Sequence, residues 1–145
     1  MNSEVLQPPS PPTTPQPDWF LQSLVNIVNG KDFEFGITLQ VSGFLISGNL
    51  VCGKRYFEGF AEDFSNIFAA TPEAAASTKR SFAQFGKIYE KAGDEKVPDP
   101  QYIHLKNARF FNTSGNPIPG NKGVLWRGRL SEVASFFLGN LSTAD

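Results

Sequence analysis

The chain has 145 residues and a net charge of −1 at neutral pH, with 13 Lys and Arg residues against 14 Asp and Glu residues. This length suits one domain, and the balanced charge excludes a general electrostatic attraction to nucleic acid or to an anionic membrane. Because the sequence has a single cysteine, no signal-peptide pattern behind Met1 and no apolar run of membrane-spanning length, we expect a cytosolic protein without an intramolecular disulfide.

The N-terminal segment differs in composition from the rest of the chain. Residues 1–17 contain six of the 11 prolines and few apolar side chains. Proline lacks the backbone N–H that helices and sheets use, and closely spaced prolines favour extended conformations. We therefore predict a disordered proline-rich leader over residues 1–17 and a single globular domain over residues 18–142.

The domain is predicted to begin with a helix and a β-hairpin. Asp18 is a favourable N-cap residue, apolar side chains recur at helical spacing up to residue 28, and Gly30 is expected to end the helix. Residues 33–41 then alternate between apolar and polar, Ser42-Gly43 suits a tight turn, and residues 44–51 form the partner strand. Gly48 interrupts the apolar face of that strand and predicts a bend or bulge.

The chain then changes from strand alternation to helical spacing. Thr71-Pro72 is a typical helix start, and it separates an amphipathic helix over residues 54–70 from a weaker helix over residues 74–92. We predict that residues 54–93 are a helical insert within the sheet-forming sequence. The apolar stripe of its first helix consists of Phe57, Phe60, Phe64, Ile67 and Phe68.

Three further strands are predicted after the insert, over residues 102–111, 123–130 and 136–141. The predicted fold class is α+β, with an N-terminal helix and a helical insert between strands 2 and 3. Five short antiparallel strands with glycine bends suit a small curled sheet or open barrel, since curling reduces the exposure of the two sheet edges.

The sequence offers no recognisable catalytic, cofactor-binding or metal-binding set. His104 and Cys52 are the only histidine and cysteine, and no pair of carboxylates accompanies His104. Cys52 follows Leu50-Val51 and is expected to be a small buried side chain. Alternation places His104 on the polar side of its strand, which predicts a surface or edge histidine rather than a catalytic base. We therefore expect a protein that is not an enzyme.

Two groups of residues are candidates for partner binding. Arg127 and Arg129 share the strand face opposite Trp126, and with Lys106 or Arg109 they would form a basic patch for an anionic partner; solvated arginines are the alternative interpretation. The aromatic stripe of the insert either packs on the sheet or is partly buried in a partner. Its candidate contact residues are Phe57, Phe60 and Phe64.

The sequence resembles the gas vesicle accessory protein U family in blocks that keep the same order and cover most of residues 18–142. The most specific are Ile-His-Leu-Lys-Asn at residues 103–107 and Trp-Arg-Gly at residues 126–128, with further blocks at 35–43, 45–48, 54–57 and 136–139. The resemblance implies a non-catalytic protein that assists the assembly of gas vesicles, the protein-walled buoyancy organelles of prokaryotes, or binds vesicles and influences their association. It implies structural or accessory gas vesicle proteins as partners, and it leaves self-association open.

The predicted order of elements is also similar to that of Sm-like proteins, which often form rings and bind RNA. Arg127-Gly128 would correspond to their second motif. The Asp/Asn loop of their first motif is missing, and the insert at residues 54–93 interrupts the fold. An oligomeric RNA-binding protein is therefore the alternative hypothesis, and the net charge of −1 does not favour it.

Overall fold

The computed structural model of the chain describes residues 15–67, 71–89, 98–112, 114, 118 and 122–141. These ranges contain three α-helices, five β-strands and two short 3-10 helices. No helix within them is both long enough and apolar enough to cross a membrane. The elements are α1 (Trp19–Lys31), β1 (Phe35–Val41), β2 (Phe44–Val51), α2 (Gly53–Ile67), α3 (Pro72–Ala83), a 3-10 helix (Gln84–Tyr89), β3 (Tyr102–Phe111), β4 (Val124–Arg129), a second 3-10 helix (Leu130–Glu132) and β5 (Val133–Leu138).

The five strands form one antiparallel sheet in the order β4-β3-β2-β1-β5. β4 and β5 lie at opposite edges, although only the 3-10 turn Leu130–Glu132 separates them in the chain. In a flat sheet with strands about 4.8 Å apart, the two edges would be about 19 Å apart, whereas a three-residue 3-10 turn advances only about 6 Å. The sheet is therefore strongly curled but open, which confirms the predicted α+β fold class.

The core of the domain lies between α1 and one face of the sheet, which we call the inner face. α1 contributes Leu21, Val25 and Val28, all fully buried in one apolar cluster with side chains of β1, β2 and β3. Burying a large aliphatic side chain contributes roughly 1.5–3 kcal/mol, so this cluster is the main source of stability. The sheet and turn members are Ile37, Leu39, Ile46, Leu50, Cys52, Ile103, Leu105, Ala108 and Leu130.

The two ends of α1 are fixed by aspartates. Asp18 caps the first turn, as predicted, and its carboxylate accepts a hydrogen bond from the Phe20 backbone N–H at 3.0 Å. The prediction that Gly30 ends the helix is wrong. The helix continues to Lys31, and Asp32 takes the left-handed conformation (φ 50°) while its N–H bonds to the Val28 carbonyl. Aspartate tolerates this conformation better than most residues, which is why it can replace glycine here.

The β1–β2 hairpin matches the predicted turn and bulge. Ser42 and Gly43 both have positive φ, at 47° and 82°, which suits the tight turn of a hairpin. The pairing of β2 with β3 shifts register at Gly48. A Cβ at Gly48 would lie 2.9 Å from the Lys106 carbonyl oxygen, so the close approach of the two backbones requires glycine at this position.

The helical insert covers the other face of the sheet, which we call the outer face. The Tyr56 ring of α2 lies 4.6 Å from the His104 ring of β3, measured between centroids, and Gly59 packs against Leu125 of β4. Thr71 caps α3 and Pro72 is its first residue, as predicted. The predicted helix over residues 74–92 is wrong over residues 84–89, because α3 ends at Ala83 and a 3-10 helix follows; residues 90–92 lie outside the described residues. At this break Gly86 approaches the Lys54 backbone too closely for a Cβ to fit easily.

The remaining boundaries differ from the predictions at strand ends. β3 has its predicted bounds, whereas β1 begins at Phe35 and β4 is one residue shorter at each end. The predicted fifth strand is present, but its predicted bounds, 136–141, are wrong: β5 begins directly after the 3-10 turn, at Val133, and ends at Leu138. Residues 1–14 of the predicted leader and Phe68 of the aromatic stripe lie outside the described residues.

Candidate partner-binding surfaces

Arg127 is held among aromatic rings on the outer face. It pairs with His104 across β3 and β4, and its guanidinium carbon lies 3.7 Å from the Tyr102 ring centroid and 5.6 Å from that of Phe57. Its Nε–H donates a long hydrogen bond to His104 Nε2, at 3.4 Å. These contacts fix the side chain, since a guanidinium stacks favourably on ring faces. Arg127 is therefore half-buried and oriented rather than freely solvated.

His104 is buried on an interior strand, and the prediction of a surface or edge histidine is wrong. Alternation correctly places it on the face opposite Leu105, but the Tyr56 and Tyr89 rings of the insert cover that face and leave 1% of His104 exposed. Burial and, secondarily, the charge of Arg127 lower the pKa of His104 to about 3. The imidazole is therefore neutral near pH 7, with Nε2 available as an acceptor.

The other predicted basic residues are spread over the outer face. Arg129 is exposed beside Arg127, opposite Tyr102. Lys106 forms an ion pair with Glu34 at 2.9 Å, and Arg109 lies beyond the β3 bulge. The structure thus brings Arg127 and Arg129 together, but Lys106 is engaged by a carboxylate and Arg109 belongs to another part of the sheet. Whether these residues contact a partner remains a prediction.

The aromatic stripe of α2 packs mainly within the insert. Phe57, Phe60 and Phe64 are all half-buried. Phe60 stacks on Phe64 at 5.8 Å between centroids, and both contact Phe82 of α3 at 5.6 and 4.8 Å. Phe57 instead reaches the outer face of the sheet near His104, at 5.9 Å. These rings hold the insert on the sheet, and their exposed parts remain predicted partner contacts.

The charged side chains at the other end of α2 are paired. Arg55 contacts the Asp32 carboxylate through Nη2 at 2.8 Å and Nε at 3.1 Å, and this contact lowers the pKa of Asp32. Cys52 is buried, as predicted, and its Sγ donates to Asp32 at 3.3 Å. Burial raises the pKa of the Cys52 thiol, which opposes formation of the reactive thiolate. The cluster thus holds α2 to the end of α1.

A surface that the sequence reasoning missed lies along the free edge of β5. We define the β5 edge surface as the unpaired side of this strand with Trp19, Phe20, Phe137 and Leu138. Trp19 stacks on Phe20, which meets Phe136 edge-on at 5.8 Å between centroids, so the start of α1 continues the apolar character of the strand. About half or more of each of these four side chains is exposed; the exposed fraction is 49% for Phe137 and 67% for Leu138.

The sequence carries a signal for this surface. Phe136, Phe137 and Leu138 are consecutive, and side chains of a strand alternate between its two faces. At least one member of such a run must therefore point away from a one-sided core. The sequence does not reveal that β5 is an edge strand, because that depends on its pairing with β1.

A comparison with models of known protein families shows to which family this chain belongs. The family model of the gas vesicle protein GvpU-like family matches residues 18–141 of this chain. The chain belongs to the GvpU-like family. The match spans α1, the curled sheet and the insert, so the fold described above is that of a GvpU-like protein, and the protein is related to gas vesicles. Searches among curated proteins and among solved structures gave no match.

Proposed function

We propose that this GvpU-like protein is a non-catalytic, cytosolic accessory protein that assists gas vesicle assembly, or binds vesicles and influences their association, by contacting other gas vesicle proteins through the β5 edge surface. The observation that carries the proposal is the exposed apolar character of that edge. Membership of the family supports gas vesicle proteins as the partners, and the exposed edge supports this surface as the contact.

The β5 edge surface combines two features that favour binding. An edge strand presents unpaired backbone N–H and C=O groups, which another strand can pair with. Soluble proteins usually blunt such edges with charged residues, yet β5 contains none in Val133–Leu138. Because Phe137 and Leu138 flank the edge and Trp19 and Phe20 extend it, a strand that docks there gains apolar burial as well as hydrogen bonds.

The non-catalytic part of the proposal rests on the state of the two candidate reactive groups. Cys52 is buried with a raised pKa, and His104 is buried beneath two tyrosine rings with a lowered pKa. Both side chains are buried, so a substrate in solution does not reach the thiol or the imidazole. A binding role requires only surfaces, and the exposed β5 edge surface supplies one.

Self-association would strengthen such binding. Several copies held together present several weak contacts at once, and the resulting avidity exceeds the affinity of one contact. The β4 edge, with exposed Arg129, offers a second free strand edge on the same molecule. Arg129 is the exposed member of the predicted basic pair, so it also tests a contact through that face without disturbing the packed Arg127.

The proposal is tested by co-flotation of the purified protein with gas vesicles. The edge variant Phe137→Lys/Leu138→Lys places two charges on the β5 edge surface. The matched control Phe44→Lys/Ile67→Lys replaces two apolar side chains of comparable exposure, 47% and 78%, that lie outside this surface. Loss of burial of two apolar side chains predicts at least about a tenfold weaker interaction for the edge variant. The control is expected to bind within about twofold of the wild type.

Each outcome separates one part of the proposal. If the wild type does not float with vesicles, direct vesicle binding is wrong. If the wild type and the edge variant both float with vesicles but Arg129→Glu does not, the contact lies on the basic face instead. Sedimentation velocity of the same proteins measures self-association, and a monomer at every concentration would remove the avidity argument.

A further inference from the structure

A pocket beside Arg127 is lined by residues of both α1 and the helical insert. Its volume is about 280 Å³, and it lies between the second half of α1, the 3-10 helix after α3 and the irregular segment 98–101 that leads into β3. Its walls are held by two hydrogen bonds: the Gln22 side chain donates to the Pro100 carbonyl at 2.7 Å, and the Leu130 N–H donates to the Gln101 carbonyl at 2.9 Å. The pocket is therefore part of the folded domain.

Arg127 brings a positive charge into this pocket, and no described carboxylate lies in an ion pair with it. Arg55 and Lys106 form ion pairs with carboxylates, whereas no ion pair joins Arg127 to another described residue. The Nε–H of Arg127 is directed to neutral His104, which leaves the two terminal Nη groups without an acceptor among the described residues. Every buried side-chain nitrogen or oxygen of the described residues has a hydrogen-bond partner. Because the Nη groups have none among these residues, they are not buried and face accessible space.

The remaining lining is mixed. Tyr89, Tyr102 and Ile88 provide apolar surface, and Ile88 is 67% exposed. Asn29 also lines the pocket; its Oδ1 accepts from the Gly53 N–H at 3.0 Å, so its amide nitrogen is left to donate. Asp99 is the acidic residue of the lining, and it is exposed and does not pair with Arg127.

We propose that this pocket binds a carboxylate carried on an apolar group about the size of one amino-acid residue. A guanidinium with both terminal groups available matches the two oxygens of a carboxylate, and its fixed stacking on Tyr102 reduces the entropy lost on binding. The volume is slightly below that of pockets for drug-sized ligands, which limits the occupant to a small group. This site is separate from the β5 edge surface, and the inference goes beyond the proposed function.

The carboxylate has two natural sources, a chain terminus and an acidic side chain, and two probes represent them. N-acetyl-leucine carries a terminal carboxylate, and N-acetylglutamate α-amide carries a side-chain carboxylate. The neutral controls are N-acetyl-leucinamide and N-acetylglutamine amide. Titration of the ¹⁵N-labelled full chain is followed by NMR at the Arg127 Nε–H and Tyr102 N–H signals. We expect millimolar affinity for at least one carboxylate and at least about tenfold weaker binding of its neutral control.

The outcomes decide the proposal and the source. Shifts with N-acetyl-leucine alone assign a chain terminus, shifts with the glutamate probe alone assign an acidic side chain, and shifts with both support the shared chemistry. Equal shifts with the neutral controls, or no shift at the two signals, overturn the proposal. Two variants refine the test: Arg127→Lys is expected to weaken binding about tenfold because the two-pronged contact is lost, and Asp99→Asn to strengthen it about twofold at low salt. The exposed Asp99 variant remains informative if Arg127→Lys does not fold.

Discussion

Acidification is expected to destabilise the domain through His104, because the folded state keeps this residue neutral. Its ring is enclosed by Tyr56, Tyr89 and Phe57, and the nearest ionised group is Arg127. Burial and this positive charge lower the pKa of His104 from 6.5 to about 3. Below pH 6.5 the unfolded chain therefore binds a proton that the folded domain does not. The stability from neutral His104 is complete above pH 6.5 and is lost as the pH falls toward 3.

The size of the effect follows from the difference between the two pKa values. Within this window each pH unit removes about 1.4 kcal/mol from the free energy of unfolding. A pH of about 4.5 is roughly two units below the unfolded-state pKa of 6.5. Acidification from about pH 7.5 to about pH 4.5 should therefore lower the free energy of unfolding by about 2.7 kcal/mol. This is a large fraction of the roughly 5–15 kcal/mol that holds a typical domain together.

The assay is urea denaturation across this pH range for the wild type and for His104→Gln. Glutamine stays neutral and can still accept a hydrogen bond from Arg127. The variant will be less stable overall because it loses ring contacts, so the comparison uses the change of unfolding free energy with pH. The contribution of Asp32, whose pKa is also lowered, is common to both proteins and cancels.

The wild type should lose about 2.7 kcal/mol more than His104→Gln between the two ends of the range. Parallel pH dependence in the two proteins would refute the reasoning. So would an NMR titration that gives His104 a pKa near 6.5, because the ring would then be protonated in the folded domain.

Three further changes test the packing. Gly128→Ala places a Cβ where the Trp126 ring lies, so we expect a loss of about 1–3 kcal/mol in urea denaturation. An unchanged midpoint would mean that the indole moves freely. Asp18→Ala removes the N-cap of α1 and should cost about 1 kcal/mol, measured by thermal unfolding, with Asp18→Asn as the control that retains a cap. Leu105→Ala empties a fully buried site and should cost about 2–5 kcal/mol, and a loss below 1 kcal/mol would contradict the assigned core.

The local parts of the fold could be predicted from the sequence. The β1–β2 hairpin, the Gly48 bulge and the bounds of β3 follow from alternation and turn residues, which act over a few neighbouring positions. The start of α3 follows similarly from Thr71 and Pro72. The end of α1 could not be predicted in this way, because glycine usually ends a helix and no local pattern favours Asp32 over Gly30 as the terminator.

The parts that depend on distant contacts could not be predicted. Alternation assigns His104 to a face of β3, but only the docking of α2 decides that this face is covered. The position of β5 depends on pairing with β1, which is illustrated by the hydrogen bond from Ser135 to Gln40 across 95 residues. The β5 edge surface was missed for the same reason, since strand order determines which strands are edges.

The most direct test of the account is hydrogen–deuterium exchange of the protein in the presence and absence of gas vesicles. β5 is an edge strand, and its outward N–H groups should exchange readily in the free protein. Docking of a partner strand would pair them, so we predict slower exchange over Val133–Leu138 when vesicles are added, while the core strand β2 is unchanged. Unchanged exchange of β5 despite co-flotation, or protection confined to β4 around Arg129, would contradict binding through the β5 edge surface.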